Sequence, residues 1–481
     1  MMPLGQVMTG IDTRTPIPNL EITGLTHNSG LVASGFLFVA LPGLHIQGTA
    51  FIREALANGA VAVAGPPVPS STGSSPYIAI DDPRVAYSRM AANFHQHPSR
   101  QLSVVGITGT NGKTTTTEIL SSILNAGSIP TAILGTLGLR WGEERASTGY
   151  TTPAANQIHE ILADLLEKKI EGVVMEVSSH ALKQHRADDV DFNVVVFTNF
   201  TQDHLDYHPD MDDYLASKLR LFELLPAGRT SIVNLDDPSG EHFIRAATGP
   251  VISYSLGRNA DLKVIDMGLC LEVTVANLDY QGQTLSIESR LIGQYNLENL
   301  LAATATALAM EIPPDTIQEG ISRVNCVEGR LERVTSGAPG RIFIDYAHTP
   351  DAYAKLLSTI RQLAPEKTEI VTLFGCGGDR DRAKRPLMAA QAEVYSDRLV
   401  ITSDNPRTES LAQINADILS GLNHDKHVVI DNRREALHHA LDSLAEHSIL
   451  MILGKGREDY EIIGTEKVYH NDVEIVETYE P

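Results

Sequence analysis

The stretch VVGITGTNGKTTTTEIL, residues 104–120, decides the fold. It opens on apolar β-branched residues and closes on a helical pattern, with Gly109, Gly112, Lys113, Thr114 and Thr115 between them. The pattern predicts a strand from Leu102 to Ile107, a tight turn, and a helix that starts at Gly-Lys-Thr-Thr. In that context glycines turn backbone N–H groups inward around phosphate oxygens, and the helix N-terminus adds a favourable dipole. Lys113 is placed to reach terminal phosphates and the Thr114 hydroxyl to ligate magnesium. The spacing departs from the common G-x-x-x-x-G-K-[ST] pattern: the position five before Gly112 is Ile107, and Gly106 lies one step further out.

Around this loop, strand-like runs such as GVVMEVSS (172–179) and NVVVFTNF (193–200) alternate with helical segments such as NQIHEILADLLEKK (156–169). Buried β-branched runs alternating with amphipathic helices predict a mostly parallel sheet. Residues 250–291 are richer in short strand-like pieces, and YNLENLLAATATALAM (295–310) reads as an Ala-rich helix. From RIFIDYAHTPDA (341–352) the alternation repeats to ILMILGKG (449–456), a Rossmann-like pattern. Before the loop, FLFVALPG, FIREALANG and AVAVAG (36–65) give strand, helix, strand, and PPVPSSTGSSP (66–76) is a loop by composition. The expected architecture is therefore α/β in three domains. These are a small N-terminal α/β domain (1–99), a central P-loop ATPase-like domain with a mostly parallel sheet (100–333), and a C-terminal Rossmann-like domain (334–481).

Composition narrows the function. The chain has 481 residues, 42% hydrophobic and 20% charged, as expected of an ordinary globular protein. With 60 acidic and 38 basic residues the net charge is −22, which argues against nucleic acid and anionic membrane surfaces as partners. No apolar run approaches the roughly 18 residues that span a bilayer, so no membrane insertion is expected. The start, MMPLGQVMTGIDTRTP, does not read as a secretory signal, and three scattered cysteines are too few for a disulfide framework. Both point to the cytoplasm.

Several side chains stand out. Glu176 ends a predicted strand facing the loop, a good place for a second ligand to the magnesium ion. Asp203, His204, Asp206 and His208 cluster after another strand. Lys218, in YLASKLRLF, reads from its pattern as a solvated helix lysine, and Asn296 and Asn299 as ordinary caps at a helix start. No G-x-G-x-x-G follows a strand in the third unit, which weakens a dehydrogenase reading.

Gly-Thr-Asn-Gly-Lys-Thr (109–114) resembles the ATP loop of the Mur ligases, the enzymes that build the peptidoglycan stem peptide. YTTPAA (150–155), MEVSSHAL (175–182), FTNFTQDHLDYH (197–208), GRLE (329–332), DYAHTPDA (345–352), FGCGGDRD (374–381), KRPLM (384–388), SDNPR (403–407) and GKGREDY (454–460) follow in the order of the family branch that adds the third amino acid. The resemblance implies an ATP- and Mg2+-dependent ligase that joins meso-2,6-diaminopimelate to UDP-MurNAc-L-Ala-D-Glu through an acyl phosphate, giving ADP and phosphate.

It also implies roles for individual residues. Gly109, Thr110, Asn111, Gly112, Lys113, Thr114, Thr115, Asn296, Asn299, Arg330, Asp345, Tyr346 and His348 would bind ATP. Lys113, Glu176, His204 and Lys218 would be catalytic. Thr114, Glu176, His204 and Lys218, the last as an N6-carboxylysine carbamate, would hold metal. Ser29, Thr151, Thr152, Ser178, Gln184 and Arg186 would meet the UDP-sugar dipeptide. Arg380, Asp404, Asn405, Pro406, Arg407, Gly454 and Glu458 would take the amino acid, with Arg380 and Arg407 gripping a carboxylate, where relatives that add lysine lack this arginine.

Four places depart from the family pattern: Asn28-Ser29-Gly30 where Asp-Ser-Arg is usual, Gln47-Gly48-Thr49, Glu328 where proline is common, and Arg457 where histidine is usual. Arg457 is expected either to alter the fit of the amino acid or to face solvent. Two other readings stay open. One is a paralogue that ligates another amino acid to a different carboxylate. The other is a nucleotide-binding scaffold without catalysis. The oligomeric state is left open, and a monomer is compatible with the sequence.

Overall fold

A computed structural model describes residues 1–43, 46–67 and 76–481. Of the expected 66–76 loop, residues 68–75 therefore lie outside the described residues.

The central unit is an eleven-stranded sheet. Seven neighbouring strands run parallel, in the order 131–135, 172–176, 103–108, 194–197, 230–234, 251–255 and 262–269. Burial explains the split between parallel and antiparallel parts. Val194–Phe197 is buried at every position, as a strand covered by helices on both faces must be, whereas Gln283–Ser289 alternates exposed and buried. Less buried segments form antiparallel ribbons at the edges: 274–280 and 283–289 at one end, 138–141 and the fully exposed 144–146 at the other.

The strand Ser103–Thr108 and the helix Lys113–Ala126 bracket the glycine loop as expected. The helix buries Ile119, Leu120, Ile123 and Leu124 against the sheet and against the helix Gln294–Ala309. Ala302, Ala303, Ala305 and Ala307 on that second helix are fully buried, and their small side chains let the two helices approach closely. Each buried Leu or Ile contributes about 1.5–3 kcal/mol, so this face of the sheet firmly anchors the loop.

The C-terminal unit has a six-stranded sheet, in the order 332–334, 341–345, 449–453, 370–374, 398–401 and 427–429, parallel except at its first strand. The hairpin 460–463/466–469 comes after it in the chain. The N-terminal unit is a four-stranded parallel sheet (24–26, 36–39, 62–65 and 77–79). Its helix Pro83–Phe94 starts where Asp82 accepts from the Arg84 and Val85 N–H groups and Pro83 occupies the first turn.

Parallel strands put their carboxyl ends on one edge, and that edge is where an open α/β sheet offers a crevice. In the central sheet Glu176 pairs in register with Ile107 and Phe197 with Thr108. The loops after all three strands therefore meet at one place, facing the C-terminal unit.

Candidate active site

The glycine loop is shaped by close approach. Gly109 has φ +150°, and a Cβ there would lie 1.9 Å from the Thr198 hydroxyl oxygen. Gly112 has φ +86°, and its Cβ would lie 2.3 Å from Asn299 Oδ1. Neither position admits a side chain. Asn199 accepts from the Thr110 N–H through its carbonyl (2.8 Å) and from the Asn111 N–H through its side chain (2.9 Å). Asn299 thus seats the loop from the helix 294–309, and its amide also donates to Asn296. Neither asparagine caps that helix, whose N-cap is Gly293. The capping expected from pattern alone is replaced by packing against the loop.

Two lysines converge on Gly109. Lys113 Nζ donates to the Gly109 and Thr110 carbonyls, both at 2.9 Å, and Lys218 Nζ donates to the Gly109 carbonyl at 2.8 Å. Lys218 is 1% exposed, so the solvated lysine read from the helical pattern is overturned. It lies beneath the loop with its ammonium 4.4 Å from the centre of the Tyr214 ring. Burial, then the charge of Lys113, pushes Lys218 well below the usual lysine range.

Glu176 is buried, not a surface carboxylate. It accepts from the Thr114 hydroxyl (3.0 Å), the Thr136 N–H (2.9 Å) and the Thr136 hydroxyl (3.0 Å). Arg330 crosses from the far side to donate to the Thr114 hydroxyl at 3.1 Å. His204, with φ +55°, faces the same cleft, and burial pushes its imidazole down, leaving the neutral ring that metals prefer. Asp203, read from the sequence only as one of a cluster, proves central. Its carboxylate lies within 4.0 Å of His204, His348 and Lys384, the last two from the C-terminal unit. Burial opposes its ionisation, but those neighbours outweigh burial and hold it below the usual carboxylate range. Of the other two members of that cluster, His208 pairs with Asp213 and Ser179, and Asp206 with Arg380.

The cleft between the two sheets has a volume of about 250 Å3. Thr110 to Thr115, Thr151, Glu176, Ser178, His204, Asn299, Arg330, Asp345, Tyr346 and His348 all border it. Asn296 lies just behind, donating to the Ile292 carbonyl. Asp345 fixes the crossing between units by accepting from the Leu331 and Ala347 N–H groups, both at 2.6 Å. Arg330 stacks over Tyr346 at 5.0 Å, and Tyr346 donates to Glu458 at 3.2 Å.

Glu298 also borders the cleft, and no sequence motif marks it. Burial, opposed by Lys355 and reinforced by Asp236, Asp351 and Asp237, pushes its carboxyl up to about 7. Raising the pH through 7 therefore adds a negative charge to the cleft. The apparent affinity for an anionic nucleotide should fall as pH rises through that value, and Glu298→Gln should flatten the slope. An equal slope in both proteins, measured by nucleotide titration, would remove Glu298 as its source.

A second cleft of about 690 Å3 separates the N-terminal and central units. Gln184 and Arg186 line it, with Arg84, Tyr150 and Asn28. Arg186 also donates to the Thr152 carbonyl at 2.7 Å, which ties this cleft to the first. Thr152 is buried, donating to the Glu176 carbonyl and accepting from the Ser178 N–H. Ser29 is not among the residues lining this cleft, because its hydroxyl donates to Glu54 at 2.8 Å.

The residues expected to take the amino acid gather at the carboxyl ends of the C-terminal strands. Arg407 has φ +51°, a strained conformation pinned on both sides by the hairpin: its N–H donates to the Ile462 carbonyl and its carbonyl accepts from the Gly464 N–H. A Cβ on Gly377 would lie 3.0 Å from Arg407 Nη1 and 3.6 Å from Arg380 Cγ, so the two arginines flank one glycine. Burial, then the charge of Arg380, pushes the Arg407 guanidinium down. Gly378 lies against the Pro406 carbonyl, and Gly454 against Asp404. Asn405 donates to Glu458 at 3.1 Å and accepts from Lys455 at 3.2 Å.

Arg457 is exposed, with 40% of its side chain open to solvent, and it also forms an ion pair with the buried Glu332. Glu328 accepts from Arg145 through two bonds of 2.8 Å. Both departures from the family pattern are thus ion pairs around the segment that joins the two units.

The donor set suits magnesium. Among the described residues no three His, Cys, Asp or Glu side chains form a ready cage. Instead the Thr114 hydroxyl and Glu176 stand 3.0 Å apart beside the loop, a partial set of the kind Mg2+ completes with water and phosphate oxygens.

Comparison with known proteins agrees with this geometry. Residues 21–100 match the model described as Mur ligase family, catalytic domain, residues 107–307 the Mur ligase middle domain, and residues 329–456 the Mur ligase, glutamate ligase domain. A UDP-N-acetylmuramoyl-L-alanyl-D-glutamate--2,6-diaminopimelate ligase from Syntrophomonas wolfei is 41% identical over 457 residues, 94% of this chain and 93% of the relative. The enzyme of the same name from Aquifex aeolicus is 42% identical over 458 residues, 95% and 93% of the two chains. A solved structure under that name superposes with a TM-score of 0.70 at 30% identity, covering 99% of this chain and 98% of its own. With the glycine loop, the two converging lysines and the interdomain cleft all in place, the chain belongs to the Mur ligase family.

Proposed function

We propose that this protein is an ATP-dependent ligase that joins meso-diaminopimelate to the D-glutamate carboxylate of UDP-MurNAc-L-Ala-D-Glu in peptidoglycan synthesis. One observation carries it: relatives with this activity in their names match at 41–42% identity along nearly the whole chain, all three units included.

The cleft supports the chemistry. Forming an acyl phosphate brings two anions together, so catalysis is mainly positioning and electrostatics. The loop N–H groups and Lys113 would hold the ATP phosphates. Thr114, Glu176, His204 and a carbamate on Lys218 are the residues that would hold magnesium. Bound there, Mg2+ would neutralise charge on the phosphates and the acceptor carboxylate. Carbamylation joins the Lys218 amine to CO2 with loss of a proton, and its support is the buried place of Nζ beneath the loop. Arg330, Asp345, Tyr346 and His348 come from the C-terminal side and complete the nucleotide site only when the units are closed. Gln184, Arg186, Thr151 and Ser178 would orient the nucleotide-sugar between the two clefts.

The test is release of inorganic phosphate by the purified chain. It should require ATP, Mg2+, UDP-MurNAc-L-Ala-D-Glu and diaminopimelate together. Equal release with lysine would remove the amino-acid assignment, and failure to bind the UDP-sugar dipeptide would favour another acceptor.

A further inference from the structure

Beneath the amino-acid loops lies a buried arginine that no substrate-facing role explains. Arg433 opens the helix Arg433–Asp442 and is 1% exposed. All three nitrogens of its guanidinium are hydrogen-bonded. Nε and Nη2 bind Asp472, at 3.0 and 2.7 Å; Nη1 donates to the Ser403 carbonyl and Nη2 to the Leu453 carbonyl, each at 3.1 Å. Asp472 is itself fully buried and takes a further contact from His470 at 2.7 Å.

Each of the two carbonyls sits at the root of an amino-acid loop. Ser403 immediately precedes Asp404-Asn405-Pro406-Arg407, and Leu453 precedes Gly454 and the turn to Glu458. The strands that carry them, 398–401 and 449–453, are not neighbours, since strand 370–374 lies between them. No ladder hydrogen bond can therefore set the distance between their loops. Asn405 joins the two loops near their tips, through Glu458 and Lys455, and Arg433 joins them at their roots, where Asp472 holds the guanidinium in one orientation. A planar fork with fixed donors can do this where a lysine cannot.

We infer that Arg433 is a positioning residue for the incoming amino acid: by tying Ser403 to Leu453 it fixes the separation of the Arg407 and Glu458 side chains, which must grip opposite ends of one zwitterion. The inference rests on the ligase reading for the substrate's identity, but not for the mechanical link. Misplacement of a gripping pair by about 1 Å weakens binding of the group it holds and leaves remote subsites alone.

Full-length Arg433→Lys is the test, with Arg361→Met as control. Arg361 ties the Tyr395 and Thr368 carbonyls at the opposite end of the same sheet. Two readouts are taken. In hydrogen exchange, segments 403–407 and 454–458 should both exchange faster in Arg433→Lys than in wild type, with 109–115 unchanged. In kinetics, KM for diaminopimelate should rise by about 10-fold or more while KM for ATP stays within about twofold; Arg361→Met should lower Tm without moving either KM. Asp472→Asn should shift both readouts in the same direction by less, and it stands in if the lysine variant does not fold. Wild-type exchange in both loops, or a loss of Tm with both KM values unchanged, would overturn the inference. Absence of wild-type turnover with diaminopimelate would instead count against the ligase reading, and the exchange result would still decide the role of Arg433.

Discussion

Lys113→Ala is expected to lower ATP-dependent turnover by about 10³-fold or more while leaving the fold intact. Removing one preorganised charge from a phosphoryl-transfer site costs on that order. The loop itself should survive. Its shape is set by Gly109 and Gly112 at positive φ, by Asn199 accepting from the Thr110 and Asn111 N–H groups, and by Asn299 against Gly112. Lys113 adds only two bonds to loop carbonyls, and Lys218 still reaches the Gly109 carbonyl without it. Its ammonium is folded onto carbonyl dipoles and is free to turn outward when phosphate arrives. The affinity for ATP should therefore fall together with turnover. Single-turnover phosphate release, nucleotide titration and thermal melting separate these effects. Turnover within about tenfold of wild type would contradict the role given to the loop, and a collapse of Tm would show that Lys113 is structural.

How much the sequence reveals depends on how local each feature is. The strand, loop and helix of 103–126 are legible because glycine spacing and apolar periodicity act within a few residues. The three sheets emerge from the alternation of strands and helices along the chain. Burial of single polar side chains is not legible. Lys218 sits on a helix whose pattern leaves it in solvent, and only the loop descending on it from residue 109, far away in the chain, buries it. Asp203 reads as one of a cluster, but two of its partners, His348 and Lys384, come from another unit. Nothing in the sequence singles out Glu298, because what sets it apart is burial in the cleft, reinforced by aspartates from elsewhere in the chain. Arg433 carries no motif at all, since its importance lies in two backbone carbonyls that no sequence pattern records. The ion pairs of Glu328 and Arg457 explain departures that, residue by residue, look like losses of family character. The edge ribbon 138–146 and the hairpin 460–469 also escape the sequence pattern. Both are short, and antiparallel pairing at an edge leaves little periodic signal.

The amino-acid end of the site should respond as sharply as the nucleotide end. Arg407→Met is expected to lower kcat/KM for diaminopimelate by about 100-fold or more, since truncating one partner of a desolvated charge pair costs several kcal/mol. Lysine, which has no distal carboxylate, should lose far less, so that discrimination between the two collapses. Stability should move the other way. In the free protein Arg380 and Arg407 flank Gly377 with like charges, and burial adds to the cost of the Arg407 cation. Its backbone is held at φ +51° by the hairpin whichever side chain it carries. The bonds it donates to Gly378 and Asn405 carbonyls are lost, but relief of the repulsion offsets them. Tm should thus stay level or rise while the substrate-specific rate falls, as expected where a binding site keeps unfavourable charge for its ligand. Parallel assays with diaminopimelate and lysine, alongside melting curves, read both effects. A uniform loss for the two amino acids, or a drop in Tm that accounts for the lost rate, would mean that Arg407 braces the loop and leaves the carboxylate to another group.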